Sequence, residues 1–307
     1  MTKRLVSYID AMAKAAMIIN GEAPDYLVAP MLGSVPFIDS MAIVDRDFDP
    51  SKVVYMPASS RILDVSGVIK RWYSAFLNHV VDCPDDFPKI LGIDEVVSGA
   101  SVMRCFKSID ASVESKRKSL RQSLLERVHS LDVTVADNAL READMLTDNS
   151  QTYDFSRMRE RVNSGAYKLD KALAREDTKV LVDCVKGALE GKMVYRTIGI
   201  EDSKKEGARN SEYDWVKEGG RVIPVGVESI ITMDQPSLVP PRFEMLKNPR
   251  GRGYIQFSPR IVDFVVTPEY INFLRDLAKF VGRNPEEVSP VNMSRILHSS
   301  DYLSKKS

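Results

Sequence analysis

Residues 90–101 read ILGIDEVVSGAS, and the fold turns on how this stretch is read. Together with Lys89 it opens as a short apolar run, 89–93, with the length and composition of a strand buried on both faces. Two adjacent carboxylates follow, Asp94 and Glu95, then two valines, then Ser98-Gly99-Ala100-Ser101, where helical spacing begins. A buried strand has no use for an acid pair, and a turn needs only one polar residue. The pair therefore points to something held at the C-terminal end of the strand.

Upstream the same alternation repeats. Leu5, Ile9, Met12, Ala16 and Ile19 fall at helical spacing, so residues 4–19 are expected to form a helix. YLVAP (26–30) is a short apolar run ending in proline, a strand followed by a loop. VPFIDSMAIV (35–44) suits a helix that opens near Pro36, where proline costs least. KVVYMP (52–57) is a second strand, and Asp64 can cap a helix with Val65, Val68, Ile69, Trp72, Phe76 and Val80 on one face. The expectation for residues 1–111 is thus an α/β core with a mostly parallel central sheet and flanking helices.

Residues 112–192 change character. Lys, Arg, Glu, Leu and Ala dominate, strand signal is almost absent, and a helical insertion or layer is expected. Mixed α/β structure returns over 193–307, completing the core or forming a hood. MVYRTIGI (193–200) and RVIPVGVESIITM (221–233) contain strands, and EDSKKEGARN (201–210) between them reads as an exposed loop. YIQF and RIVDFVV read as two further strands, and NPRGRGY (248–254) as a solvated hairpin tip. PEYINFLRDLAKFVG is a helix started by Pro268 and ended by Gly282.

Charge and composition narrow the classes. Lys plus Arg and Asp plus Glu each number 43, and a net charge of zero disfavours a surface given over to nucleic acid or acidic membrane. Cys83, Cys105 and Cys184 are odd in number and widely spaced, which fits neither a disulfide framework nor a metal pattern. A reducing cytoplasm is the simplest compartment for them. No apolar run approaches the ~20 residues of a membrane span. The opening MTKRLVSYIDAMAKAAMIIN carries Asp10 and Lys14 inside its apolar part and reads as an amphipathic helix rather than a cleaved signal.

Small residues at a helix start let backbone amides approach an anion closely, which suits phosphate. Two acids at the edge of the preceding strand suit vicinal hydroxyls or a magnesium ion. A ribose 5-phosphate unit offers both groups. On these residues the chain resembles the type I phosphoribosyltransferases, whose signature is four apolar residues, two acids, two apolar residues and a Ser/Thr/Gly-rich turn. The resemblance implies Asp94 and Glu95 on the ribose hydroxyls, and Ser98, Gly99, Ala100 and Ser101 on the 5-phosphate. The commonest form of the signature has one more residue before the turn and ends in Gly-Thr or Gly-Gly-Ser. LVAPMLGSVPFIDSMA (27–42) is similar to the family's first strand and pyrophosphate loop. That similarity would set the backbone of Met31, Leu32, Gly33 and Ser34 against a diphosphate, with Gly33-Ser34 where a glycine pair is common.

What the resemblance implies is a magnesium-dependent, phosphoribosyltransferase-like enzyme. It would bind phosphoribosyl diphosphate or a nucleotide and move the phosphoribosyl group to or from a nitrogen acceptor. Such a reaction needs orientation, neutralisation of the departing diphosphate and exclusion of water, and no covalent protein nucleophile. Magnesium would meet Asp94 and Glu95 indirectly, through the ribose hydroxyls or water. Arg61, in PASSR after the second strand, is the candidate for a basic closing loop. Trp215, Phe243 and Phe257 are candidate stackers for the acceptor, though unpaired aromatics equally suit a core. A non-catalytic nucleotide-sensing or regulatory protein of the same fold stays open as the alternative, as does a homo-oligomer. Membrane and nucleic-acid partners are not expected.

Overall fold

The computed structural model describes residues 2–31, 33–58, 65–81, 87–130, 195–204, 209–228, 230, 241–250, 254–264 and 267–288. The expectations for Leu32, Arg61, Asp64 and most of the helical middle lie outside the described residues. Contacts divide the chain into two compact units: Met1–Phe76, Pro88–Ala111 and Val194–Ser307 form one, Leu77–Phe87 and Ser112–Met193 the other. In the second unit, Lys118 pairs with Glu114 at 3.4 Å, one helical turn apart, and the Arg117 guanidinium sits 5.8 Å from the centre of the Phe87 ring.

In chain order the helices and strands are α1 (Thr2–Glu22), β1 (Tyr26–Met31), α2 (Val35–Val44), β2 (Val53–Pro57), α3 (Val65–Val80), β3 (Ile90–Val96) and α4 (Ala100–Ser130). There follow β4 (Tyr195–Asp202), α5 (Ser211–Glu218), β5 (Val222–Val227), β6 (Pro241–Arg250), β7 (Tyr254–Phe264) and α6 (Pro268–Phe280). Strands β1 to β5 form one all-parallel sheet in the order β2-β1-β3-β4-β5. This is the α/β class read from the sequence, a parallel sheet flanked by helices.

The chain steps from β1 outward to β2, then returns across β1 to β3 and continues the other way. Right-handed crossovers therefore put α2 on one face of the sheet and α3, α4 and α5 on the other. The first face packs Leu27, Ala29, Leu91, Ile93, Ile198 and Ile200 against Met12, Ala15, Ala16, Phe37, Ile38 and Met41 of α1 and α2. Helix α6 lies over that layer through Tyr270, Leu274 and Leu277, against Leu5, Ile9 and Ile43. The second face is aromatic: Trp72 stacks on Phe76, Tyr26 meets Phe76 edge-on and Phe106 meets Tyr195 edge-on, each with ring centres 5.1 Å apart. Among the described residues no helix is long and apolar enough to cross a membrane.

Several boundaries differ from expectation. Strand β1 runs on through Met31, whose side chain is 2% exposed and part of the core. Strand β3 does not stop at Ile93 but carries both acids, because its ladder with β4 continues from Ile90–Tyr195 to Val96–Glu201. Strand β4 likewise takes in Glu201 and Asp202, where a loop was expected. YIQF and residues 260–264 of RIVDFVV belong to the single strand β7, paired antiparallel with β6 in a separate two-stranded ribbon. Prolines hid this ribbon: Pro259 lies within β7, and Pro241 and Pro249 within β6. The open edges of a two-stranded ribbon tolerate them.

Candidate functional site

In an open parallel sheet, ligands bind beyond the C-terminal ends of the strands where the strand order reverses. Here that point lies between β1 and β3. The turn after β1 meets the end of β3 there. Ser34, fully buried, donates from its hydroxyl to the Ile93 carbonyl at 2.7 Å, and its amide donates to the Pro30 carbonyl at 3.3 Å. Gly33 keeps some exposure, and a Cβ placed on it would lie 3.0 Å from Cδ of Glu95. Glycine at this position thus lets the Glu95 side chain lie against the turn. Two stretches read separately in the sequence touch at these two residues.

Asp94 goes the other way. Adjacent residues of a strand point to opposite faces, and Asp94, 3% exposed, is on the face covered by α3 and α4. Its Oδ1 accepts from the Glu95 amide at 2.9 Å, and its buried Oδ2 has no well-aligned partner. Burial, and then the Glu95 charge, push its pKa up to about 7, while the Ser101 hydroxyl, the Glu95 amide and the Arg104 guanidinium favour the ionised form. Close by, Tyr73 and Tyr195 share a hydroxyl–hydroxyl bond of 2.9 Å. Burial raises both phenols and the Cys105 thiol far above their ordinary range. Of the acid pair, only Glu95 retains surface on the side of Gly33.

In the turn that opens α4, Ser98 is exposed, Ala100 and Ser101 are partly so, and Gly99 is buried. The amides that begin a helix have no acceptor within it, and the Ser98 hydroxyl answers that of Ala100 only at 3.4 Å. Gly99 has φ +75°, a conformation that side chains resist. A Cβ there would come within 2.5 Å of the Tyr213 ring. Together with the Asn210 amide, which donates to the Ser98 carbonyl at 3.2 Å, this contact seats α5 on the turn.

The role of α5 was missed in the sequence. Tyr213 donates to Glu201 Oε1 at 2.8 Å, Lys217 reaches the same carboxylate at 2.9 Å and Arg209 at 3.2 Å. Glu201 is 7% exposed, so the end of β4 holds a buried acid between two cations. Asn210, whose side chain caps α5 by accepting from the Tyr213 amide at 2.8 Å, was the legible sign of this helix. Nothing local connects it to a turn so far upstream. Among the described residues no group of three or more His, Cys, Asp or Glu converges as metal ligands would.

The fold and this geometry define an α/β protein with a candidate site at the switch point of a five-stranded parallel sheet. Comparison of the chain with protein-family models, with curated proteins and with solved structures gives no significant match.

Proposed function

We propose that this chain is a phosphoribosyltransferase-like enzyme that binds phosphoribosyl diphosphate or a nucleotide with magnesium and moves the phosphoribosyl group to or from a nitrogen acceptor. One observation carries this reading: the contact of Gly33 with Glu95 at the β1/β3 switch, beside the turn that opens α4. Two stretches that separately resemble the family's loops are neighbours where parallel sheets bind their ligands. In this reading the Gly33 turn receives the diphosphate, Glu95 the ribose hydroxyls, and the amides at Ser98–Ser101 the 5-phosphate. Magnesium is usually held by one or two carboxylates, the ligand's own oxygens and water, and Glu95 suits that role. Bound there, the ion would supply neutralisation of the diphosphate. The chain itself orients the sugar and sets main-chain dipoles against the phosphate. A reducing cytoplasm is the compartment this reading takes.

A different observation favours a non-catalytic nucleotide sensor of the same fold. Asp94 is buried and Gly99 lies under Tyr213, so one acid meets the hydroxyls and the phosphate turn is partly covered. Thermal denaturation with millimolar phosphoribosyl diphosphate, with and without magnesium, tests both readings. Ligand at about 100 times its Kd stabilises by about 2.7 kcal/mol, so a magnesium-dependent rise in Tm of several degrees is expected. No shift removes both readings and leaves an assembly protein. Diphosphate release with a panel of nucleobases separates enzyme from sensor.

A further inference from the structure

We infer that helix α6 is a reversible clasp on α1 and α2, with Asp39 as its pH-sensitive latch. The clasp stands whether or not the site takes a sugar phosphate. The buried side chains of α6, Tyr270, Leu274, Leu277 and Ala278, meet Leu5, Ile9 and Ile43 in a small cluster apart from the main core, and half-buried Phe273 touches both. A helix of 13 residues is marginal by itself in water, so α6 depends on this seat. An element resting on so small a core opens at lower free energy than the sheet beneath it.

The latch is a polar contact inside the seat. The Tyr270 hydroxyl donates to Asp39 Oδ2, while Oδ1 of the same buried carboxyl has no hydrogen-bond partner among the described residues. The titratable groups facing this corner are Tyr270 from α6, Tyr55 from β2 and, from α1, Tyr8, whose hydroxyl shares a bond of 3.1 Å with that of Ser40. The charged residues of α6 lie elsewhere: Glu269, Asp276 and Lys279 are exposed and Arg275 partly so. Just beyond the helix, Arg283 donates to the Ala42 carbonyl at 3.0 Å and adds a second tie to α2. With α6 docked, an ionised Asp39 leaves one charged oxygen dry and unanswered, which is costly; undocking lets water reach it. A neutral Asp39 carries far less of that penalty. Burial accordingly pushes its pKa up to about 6, and the Tyr270 bond only partly offsets this. Docking therefore takes up a proton, and α6 is held most firmly in mild acid and least firmly above about pH 6. Helix α2 begins at Val35, directly after the Gly33 turn, so an open clasp withdraws outer support from the candidate site.

Amide hydrogen exchange of the full chain from about pH 4.5 to about pH 7.5, corrected for intrinsic rates, tests this. Amides of α6 are expected to open more readily than those of β1 and β3 throughout. Their opening constant is expected to rise by about tenfold between about pH 4.5 and about pH 6, then to level off. Asp39→Asn keeps the shape and an acceptor for Tyr270 but cannot ionise, and it should remove that rise. Tyr270→Phe should loosen α6 more above about pH 6 than in acid, because the lost bond favours the ionised acid. An α6 that opens only together with β1 and β3 overturns the inference. So does one whose opening ignores pH, or keeps its full rise in Asp39→Asn. Should Asp39→Asn fail to fold, Tyr270→Phe decides: equal loosening at every pH, as loss of a merely structural bond would give, overturns the latch.

Discussion

Tyr270 of α6 donates a hydrogen bond to Asp39 of α2, joining two buried residues 231 positions apart. Helix α2 follows directly on the Gly33 turn, so this bond ties a late element of the chain to the support of the candidate site. Burial pushes the Asp39 pKa up to about 6 from an ordinary 3.8, and the Tyr270 bond only partly offsets it. The other titratable groups facing this corner are the phenols of Tyr8 and Tyr55, the former raised by burial.

A carboxyl whose pKa is higher in the folded chain binds its proton more tightly there than when unfolded. Asp39 therefore favours the folded state least above about pH 6, where it is ionised and buried, and the penalty fades as pH falls from 6 toward 4. About two pKa units correspond to about 3 kcal/mol. Asp94 acts with the same sign up to about pH 7. Glu22, lowered first by its Lys89 bond, has the opposite sign, and its contribution is lost only in more acid solution. Urea unfolding should accordingly give a stability that declines from about pH 5 to about pH 7.5, and Asp39→Asn should flatten part of the slope. A stability that rises through that window would contradict the burial of these acids.

Gly33 and Gly99 both have close neighbours, but of different kinds. A Cβ on Gly99 would meet the Tyr213 ring at 2.5 Å with φ already at +75°, so Gly99→Ala is expected to cost about 3 kcal/mol or more. Tyr213→Ala removes the ring but keeps the Cβ, itself 2.5 Å from the added atom, so the double variant should recover only part of that loss, leaving this contact and the backbone strain. A Cβ on Gly33 meets the movable end of Glu95 at 3.0 Å, so Gly33→Ala is expected to cost about 1 kcal/mol or less. Its larger effect should fall on ligand binding: displacing Glu95 should abolish the magnesium-dependent Tm shift. Equal losses of stability at the two sites would mean that the contacts differ from those described.

The fold was legible wherever one local signal sufficed. Alternating short apolar runs and amphipathic stretches predict β1, β2, β3 and the helices between them, and Pro36 and Pro268 mark the starts of α2 and α6. The site was half legible. Glu95 stood out as half of an acid pair after an apolar run, Gly33 only through the resemblance of its stretch to a pyrophosphate loop, and the sheet order brings them together. What sequence could not give was the face each acid takes, because that depends on β3 remaining in register with β4 through Val96. Nor could it show that Gly99 serves Tyr213, since the signal for glycine at a turn is the same whether a ligand or a side chain fills the space. The β6–β7 ribbon was split by its prolines, each of which reads locally as a strand breaker.

Ser34 holds the turn after β1 to the neighbouring strand through its bond of 2.7 Å to the Ile93 carbonyl. Ser34→Ala removes a buried donor without adding bulk, and the expected cost is about 1–2 kcal/mol by urea unfolding. Freed from β3, the turn should also lose preorganisation for an anion, so the Tm shift with inorganic diphosphate should shrink. A variant that loses stability but keeps the full shift would separate the turn from the ligand.

Glu201 is the joint through which α5 is held on the turn that opens α4, and its three partners should be unequal. Tyr213→Phe removes one hydrogen bond but leaves Lys217 and Arg209 on the carboxylate, so a loss of about 1–2 kcal/mol is expected. Glu201→Leu is more severe. It removes the buried carboxylate that Tyr213, Lys217 and Arg209 share, and breaking a buried ion pair by deleting one partner usually costs about 3–5 kcal/mol. Tyr213→Phe and Glu201→Gln share one interaction, so their combined effect should fall short of the sum by about 0.5 kcal/mol or more. Strict additivity in that cycle would mean that Tyr213 is held on Gly99 by ring packing alone, leaving Lys217 as the residue of α5 that answers the acid at the end of β4.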